Sequence, residues 1–219
     1  MKQVTRAGTV KSGDEQSRPR RVPTQRRSRE RVERMLFVAT SLIANKGIDA
    51  VRMSEIAELA DVSIGSLYQY FPEKSAVVRT LAERYNAQGR TCVEAELASI
   101  AKDDELVPAL HRIVDGYYEM FLDQPVMRDI WRATQADRAL QEMDAADCKA
   151  HAMMLCEALT NLRPKADPAS IESLSALVMQ QIAAAVRHAI SLERAQGDVT
   201  IEMFKRMLLA NLFDVLEPK

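Results

Sequence analysis

Apolar residues recur along this chain every three or four positions, which is the spacing of one face of an α-helix. The first run begins after Ser28, a residue type suited to cap a helix N-terminus, and stops at Gly47. Two short runs follow, over 53–60 and 64–70, and a longer one starts near Glu73. No alternation of apolar and polar residues competes with these runs, so this part of the chain is predicted to be helical.

The rest of the chain continues the same periodicity. The periodicity is interrupted at three places, which are Asp103-Asp104-Glu105, Pro125 and a proline-containing loop at 163–168. The helices predicted between these breaks cover 105–124, a short segment around Trp131, 137–162, 169–195 and 200–216, with Gly197-Asp198 separating the last two. The pattern therefore predicts an all-α protein of about nine helices.

Composition places these helices in a globular protein of a reducing compartment. Hydrophobic residues make up 47% of the 219 positions, an ordinary share for a packed core. Cys92, Cys148 and Cys156 form no CxxC pair, so we expect no disulfide framework and no metal site, and no motif indicates a cofactor. The chain has no continuous apolar run long enough to predict a membrane span and no secretory signal. We expect a soluble cytoplasmic protein.

Charge is unevenly distributed along the chain. Residues 1–34 hold eleven Lys and Arg against four Asp and Glu, whereas residues 91–219 hold 13 against 21. A basic end on an acidic remainder indicates that one end of the protein meets a polyanion. Residues 1–27 also lack apolar periodicity, so we interpret them as a disordered basic arm. A solvated tail without a partner is the alternative interpretation.

The two short helices form a predicted helix-turn-helix, because only Asp61-Val62-Ser63 separates them. Ala57 is small where the two helices would cross, and Ser63 can cap the second helix through its hydroxyl. On a helical wheel, Ile64, Leu67 and Phe71 share one face, while Gly65, Ser66 and Gln69 lie opposite, with Tyr68 and Tyr70 at the borders. An apolar inner face and a small polar outer face suit a helix that enters the DNA major groove.

The segment MSEIAELADVSIGSLYQYFPEKSAVV resembles the DNA-binding region of the TetR family of bacterial transcriptional regulators. The resemblance covers about residues 28–85. Two positions depart from the family pattern: Asp61 stands where glycine is usual, and Arg52 stands where threonine often precedes the first short helix. The residues that carry the match are Ile56-Ala57, Val62-Ser63, Gly65-Ser66-Leu67-Tyr68, Tyr70-Phe71 and Lys74.

The resemblance implies a double-stranded DNA operator as partner. Ser66, Tyr68 and Tyr70 match positions that bind phosphates or pack on the sugar edge, and Lys74 matches a phosphate clamp. Gly65 and Gln69 match positions that face base edges. Arg52 is expected to replace the missing hydroxyl with a charged phosphate contact. The alternatives are a partly buried core role for Tyr68 and simple solvent exposure for Tyr70 and Lys74.

The resemblance also implies a two-fold homodimer with a helical ligand-binding and dimerisation domain over 86–219, behind a DNA-binding domain over 28–85. The last two helices are apolar on more than one face, which is typical of an interface. Their candidate interface residues are Leu174, Val178, Ile182, Val186, Phe204, Leu208 and Leu212. An intramolecular core is the alternative.

Aromatic residues and methionines concentrate in the middle helices, where we expect a pocket for a largely apolar small-molecule effector. The candidate pocket residues are His111, Tyr117, Tyr118, Phe121, Met127, Trp131 and Met153. A plain hydrophobic core explains the same pattern.

The predicted function is a ligand-responsive repressor that binds a palindromic operator as a dimer. A redox-sensing regulator that uses one of the cysteines is an alternative. A helical enzyme is a weaker one, because the three histidines are isolated and neither a GxSxG motif nor a phosphate-binding loop is present.

Overall fold

The computed structural model describes residues 21–208 and residue 216, and this part of the chain is helical with no β-strand. The helices are α1 Arg21–Ala50, α2 Met53–Leu59, α3 Ile64–Tyr70, α4 Lys74–Ala98, α5 Asp103–Asp123, α6 Val126–Thr134, α7 Arg138–Leu162, α8 Pro168–Ala189 and α9 Arg194–Leu208. The all-α prediction and the number of helices are confirmed for these residues.

Short polar side chains explain where several helices begin. The carboxylate of Asp137 accepts a hydrogen bond from the Leu140 N–H at 3.0 Å, which caps α7. Asp167 caps α8 in the same way, with Pro168 as the first helical residue. At the start of α5, the Glu105 carboxylate turns back to accept from the Lys102 N–H at 3.0 Å. These local signals lie in the sequence itself.

The first four helices form the N-terminal module. Its core contains Met35, Leu36 and Ile43 of α1, each at most 2% exposed, together with Ile56 of α2 and Leu67 of α3. Helix α4 starts in this module and runs without interruption into the C-terminal domain. The predicted boundary between residues 85 and 86 therefore falls inside a continuous helix.

The C-terminal domain is built around α7 and α8, which pack against each other. Helix α4 packs on α5 and α7, α9 packs on α8, and α6 bridges to α1. The shared core includes Leu106, Val114, Leu155 and Leu159, which are fully buried. As a result, α4 and α6 each touch both parts of the molecule.

Helix α1 is longer than the prediction. It begins at Arg21, so Ser28 lies inside the helix and not at its N-cap, and residues 21–27 of the predicted disordered arm are helical. Residues 1–20 of that arm lie outside the described residues. Ser28 was predicted to be the N-cap, but its hydroxyl lies 2.8 Å from the Tyr70 hydroxyl of α3. Near its other end the helix is interrupted at Gly47, whose φ of 78° is left-handed.

Helix α9 also starts earlier than predicted, and Gly197 lies inside it. A Cβ built on Gly197 would come within 2.5 Å of the Tyr118 hydroxyl and 2.7 Å of the Ala189 carbonyl oxygen. This glycine therefore permits close packing of α9 on α5 and α8 and does not end a helix.

Among the described helices, α8 is long and apolar enough to cross a membrane by length and composition, with a mean hydropathy of 1.3 over its most apolar window. Core helices of folded domains meet the same criterion. Here α8 packs against α5, α7 and α9.

Candidate DNA-binding surface and ligand cavity

The N-terminal end of α3 projects from the core. The Ser63 hydroxyl accepts a hydrogen bond from the Ser66 N–H at 3.1 Å, as predicted for the cap of this helix. Asp61 adopts a left-handed φ of 52°, so it fills the turn position where glycine is usual. Gly65, Tyr68 and Gln69 are exposed on the outer side of α3.

The inner face of α3 is anchored by two of the three residues predicted for it. Leu67 is fully buried and Phe71 is 4% exposed, whereas Ile64 is 43% exposed. Ile64 is the first residue of the helix, one turn before Leu67, and its neighbours Ser63 and Gly65 are also exposed. Ile64 therefore belongs to the outer end of α3 and does not anchor the helix.

Two polar side chains of α3 are tied to α1. The Tyr70 and Ser28 hydroxyls lie 2.8 Å apart, and an Arg31 guanidinium N–H donates to the Ser66 hydroxyl at 3.3 Å. Ser28 and Arg31 lie three positions apart on one face of α1. Sequence reasoning missed both, although this spacing was visible. The phosphate contacts of Ser66, Tyr68 and Tyr70 stay predictions.

The Lys74 ammonium group is surrounded by backbone carbonyl oxygens. It donates to the carbonyls of Ile48 at 2.7 Å, Asp49 at 3.1 Å and Val51 at 3.2 Å. These carbonyls follow the interruption of α1 at Gly47, and the Ile48 carbonyl also accepts from the Val51 N–H at 3.3 Å. Lys74 thus fastens the start of α4 to the α1–α2 connection, and its phosphate contact stays a prediction.

Exposed basic residues lie on α1 and α2, the two helices that contact α3. Arg52 is exposed at the N-cap of α2, without a capping hydrogen bond, and its charge contributes to lowering the pKa of Glu55, where a hydrogen bond from Lys46 is the main cause. Arg27 and Arg29 are exposed on α1. Arg31, which donates to the Ser66 hydroxyl, places a positive charge beside α3, as phosphate binding requires.

A cavity of about 320 Å³ lies inside the C-terminal domain, between α4, α5, α6, α7 and α8. Four of the predicted pocket residues line it. The Tyr117 and Phe121 rings meet edge to face with centroids 5.2 Å apart. Met127 and Trp131 of α6 line the wall as well.

Three predicted pocket residues lie elsewhere. The His111 ring lies 3.1 Å from the Lys205 carbonyl oxygen, where its Nε2–H can donate. Tyr118 donates to the Asp198 carboxylate at 3.1 Å, so its hydroxyl holds α5 to α9. Met153 is 63% exposed and lines a shallow groove between α7 and α8. Periodicity predicted helices here but did not show which side of each helix meets the cavity.

Part of the cavity wall is polar, which the sequence did not reveal. Asp144, Asp147 and His151 of α7 and Arg187 of α8 line it. Burial raises the pKa of Asp147 and lowers the pKa of His151, and each charge partly offsets the shift of the other. Burial also raises the pKa of Tyr117 to about 12, so its phenol is neutral at physiological pH. The signal was available, since Asp147 and His151 stand four positions apart on one helix.

The redox-sensing alternative, which would use one of the three cysteines, stays a hypothesis. All three cysteines are free. Burial raises the pKa of Cys148, while burial and the nearby Glu96 carboxylate raise that of Cys92. A raised thiol pKa means little thiolate at neutral pH, and thiolate is the form that is oxidised.

The predicted interface residues need correction. Leu174, Val178, Ile182, Val186 and Leu208 are at most 9% exposed within one protomer, so they belong to its own core. Phe204 is half-buried against that core, and Leu212 lies outside the described residues. The large apolar side chains that the described parts of α8 and α9 expose are Leu177, Val199, Met203 and Met207.

A helix-turn-helix with an exposed second helix, joined to a helical domain that encloses a cavity, defines a DNA-binding regulator with a ligand domain. Comparison with protein families identifies the family of regulators to which the chain belongs. Residues 36–81 match "Bacterial regulatory proteins, tetR family", and residues 104–216 match "Tetracyclin repressor-like, C-terminal domain". The chain belongs to the TetR family of transcriptional regulators, and its members are regulatory proteins and not enzymes.

Individual relatives agree with this family. The HTH-type transcriptional repressor KstR of Rhodococcus jostii (strain RHA1) is 40% identical over 114 residues, which cover 52% of this chain and 45% of KstR. The chain therefore matches less than half the length of that relative.

Solved structures show the same fold at low sequence identity. A TetR-family regulator from Pectobacterium atrosepticum has a TM-score of 0.66 at 18% identity, covering 91% of this chain and 99% of that one. The transcriptional regulator FadR from Bacillus subtilis, in complex with stearoyl-CoA, has a TM-score of 0.61 at 16% identity, covering 79% and 97%.

Proposed function

We propose that this protein is a transcriptional repressor that binds a palindromic operator as a homodimer and releases it when a small, largely apolar molecule enters the cavity. The observation that carries the proposal is the exposed outer face of α3, with Gly65 and Gln69 flanked by Tyr68. The family match supports DNA binding, and the name of KstR supports repression. Because the operators of bacterial regulators lie in the cytoplasm, the proposal includes a cytoplasmic location.

In this proposal α3 enters the major groove. Gly65 lets the backbone approach the bases, since it has no side chain and nothing lies within 4 Å of a Cβ built there. Gln69 then binds an adenine edge through its amide. Tyr68, which is 48% exposed, and Arg52 contact the flanking phosphates. The basic arm adds attraction that does not depend on the base sequence.

The cavity communicates with this surface through two helices. Helix α4 carries Gly89 and Val93 on the cavity wall and Lys74 at the α1–α2 connection. Helix α6 carries Trp131 on the same wall and packs on α1, which in turn holds α3 through Ser28. A ligand that displaces α6 or α4 therefore changes the position and orientation of α3. The complex of FadR with stearoyl-CoA supports this proposal, because FadR has the same fold and binds a small molecule.

The dimer uses the outward faces of α8 and α9. Val199, Met203 and Met207 follow each other every four residues on α9, and each is at least 59% exposed. Leu177 adds a 54% exposed apolar side chain on α8. A two-fold axis through this surface pairs each stripe with its own copy.

Selection of bound sequences from random duplex DNA tests the proposal. We expect a palindrome whose half-sites lie about one helical turn, or a multiple of it, apart, and binding that weakens steeply with salt. Gln69→Ala should relax the preference at one position of each half-site, whereas Lys165→Ala, in the exposed α7–α8 loop, should not. Recovery of no sequence, or of one without two-fold symmetry, would contradict the proposal.

A further inference from the structure

The cavity wall contains two buried polar atoms without a hydrogen-bond partner among the described residues. They are Nε1 of Trp131 on α6 and Nε2 of His151 on α7. Most buried polar atoms in folded proteins have a partner, so each exception calls for a physical explanation. Both side chains line the same cavity, and a molecule bound there is positioned to be that partner.

The two atoms differ in hydrogen-bonding character. The Trp131 indole nitrogen is only a donor. In His151, Nδ1 lies 3.8 Å from an oxygen of the Asp147 carboxylate, which also accepts a hydrogen bond from Arg90. A carboxylate favours the imidazole tautomer that carries its proton on the nearer nitrogen, which is Nδ1. Nε2 then keeps its lone pair and acts as an acceptor. The cavity thus offers one donor and one acceptor.

The charges on this wall are already paired. Arg187 lies 3.8 Å from the Asp144 carboxylate, and Arg90 pairs with Asp147. The two guanidinium groups balance the two carboxylates, and burial keeps His151 neutral by lowering its pKa. An anionic or cationic ligand would have to compete with one of these pairs, whereas an uncharged ligand leaves both intact.

Helix α4 leaves space in front of the acceptor. An ideal Cβ on Gly89 would meet only His151 Nε2, at 4.0 Å, and nothing closer. Glycine in a helix interior is less stable than alanine. Gly89 therefore costs helix stability and keeps open the approach to Nε2.

We propose that the cavity binds an uncharged, mainly apolar molecule with a hydroxyl group, an alcohol or phenol, whose hydrogen is donated to His151 Nε2 while an oxygen accepts from Trp131 Nε1–H. The apolar body of the molecule packs on Phe121, Met127 and Ile130. This inference rests on the proposed function, because it names the chemical class of the effector.

Three matched two-ring probes test this class by isothermal titration calorimetry on the full chain. They are β-naphthol, β-naphthyl methyl ether, which only accepts, and β-naphthoate, which is anionic. We expect β-naphthol to bind roughly tenfold more tightly than the ether, the size of one buried hydrogen bond, and more tightly than β-naphthoate.

Variants then assign the two contacts. Trp131→Phe keeps a ring but removes the donor, so it should weaken binding of both β-naphthol and the ether. Gly89→Ala places a methyl group against Nε2, so it should weaken β-naphthol several-fold with little effect on the ether. Met153→Leu, at an exposed position outside the cavity, is the control and should leave both affinities unchanged. Thermal melts establish that each variant is folded.

Several results would overturn the ligand class. They are no binding of any probe, equal affinity for β-naphthol and the ether, preference for β-naphthoate, or wild-type β-naphthol affinity in folded Trp131→Phe and Gly89→Ala. Operator binding of the probe-free wild type is measured separately. Its absence would refute the proposed regulator, even with β-naphthol selectivity intact. Normal operator binding with any of the overturning results would refute only the ligand class.

Discussion

At the scale of single residues, the two tyrosines of α3 have different environments. Tyr68 is 48% exposed, while the Tyr70 hydroxyl lies 2.8 Å from that of Ser28. The hydrogen bond joins residues that are 42 positions apart and holds α3 to α1. We therefore infer that Tyr70 positions α3, and that Tyr68 is better placed than Tyr70 to contact the DNA backbone.

Tyr70→Phe should lower operator affinity several-fold, since the lost hydroxyl no longer holds α3 in place; one hydrogen bond corresponds to about 1 kcal/mol. Ser28→Ala should cause a similar loss, and the double variant should lose no more than either single one. Fluorescence anisotropy with the selected operator measures all three. Tyr68→Phe is the matched control, and its loss should add to that of Ser28→Ala. Additive losses for Tyr70 and Ser28 would contradict the positioning role.

At the scale of elements, two glycines inside helices serve opposite purposes. Gly197 lets α9 approach Tyr118 and the Ala189 carbonyl, which a Cβ would meet at 2.5 and 2.7 Å. Gly89 lies on the cavity wall, where a Cβ would meet only His151 Nε2, at 4.0 Å. The glycine in α9 therefore permits close packing, whereas the glycine in α4 leaves space in the cavity. Only the neighbouring helices show which of the two roles a glycine has.

Gly197→Ala should lower the free energy of unfolding by about 1–3 kcal/mol, because the Ala189 carbonyl is backbone and cannot move aside easily. Gly89→Ala should leave it unchanged or raise it by up to about 1 kcal/mol, through better helix propensity. Urea denaturation followed by circular dichroism measures both. Equal effects of the two substitutions would show that the close contacts at Gly197 are relieved without cost.

At the scale of the whole molecule, α8 and α9 turn their most regular apolar faces inward. Val178 and Val186 are at most 2% exposed within one protomer. The surface left for a second copy is the stripe that includes Met203, which is 60% exposed. The proposed two-fold assembly depends on this outer stripe, since two correctly spaced α3 helices are needed to read a palindrome.

Met203→Glu should convert the dimer to a monomer and abolish tight operator binding, because it places two like charges near the two-fold axis, where they are desolvated. Sedimentation velocity and anisotropy measure these two effects. Met153→Glu, at a position that is 63% exposed on α7, is the control and should change neither. A dimer that survives Met203→Glu would move the interface to another face.

Local sequence determined the elements and much of the DNA-binding module. Capping by Ser63 and the inward position of Leu67 were predicted from near neighbours in the sequence and were confirmed. The resemblance to the TetR family rested on the helix-turn-helix residues that match its pattern, Ser63 and Leu67 among them, and was confirmed by the family matches.

The tertiary structure decided which partner each helix face contacts. An apolar stripe predicts burial but does not identify its partner, so the residues predicted for the dimer, such as Val178, proved to be core. The link between Tyr70 and Ser28 and the cavity atoms of Trp131 and His151 join distant segments. Helical periodicity repeats within a few residues and carries no information about such distances, which are set only when the helices pack.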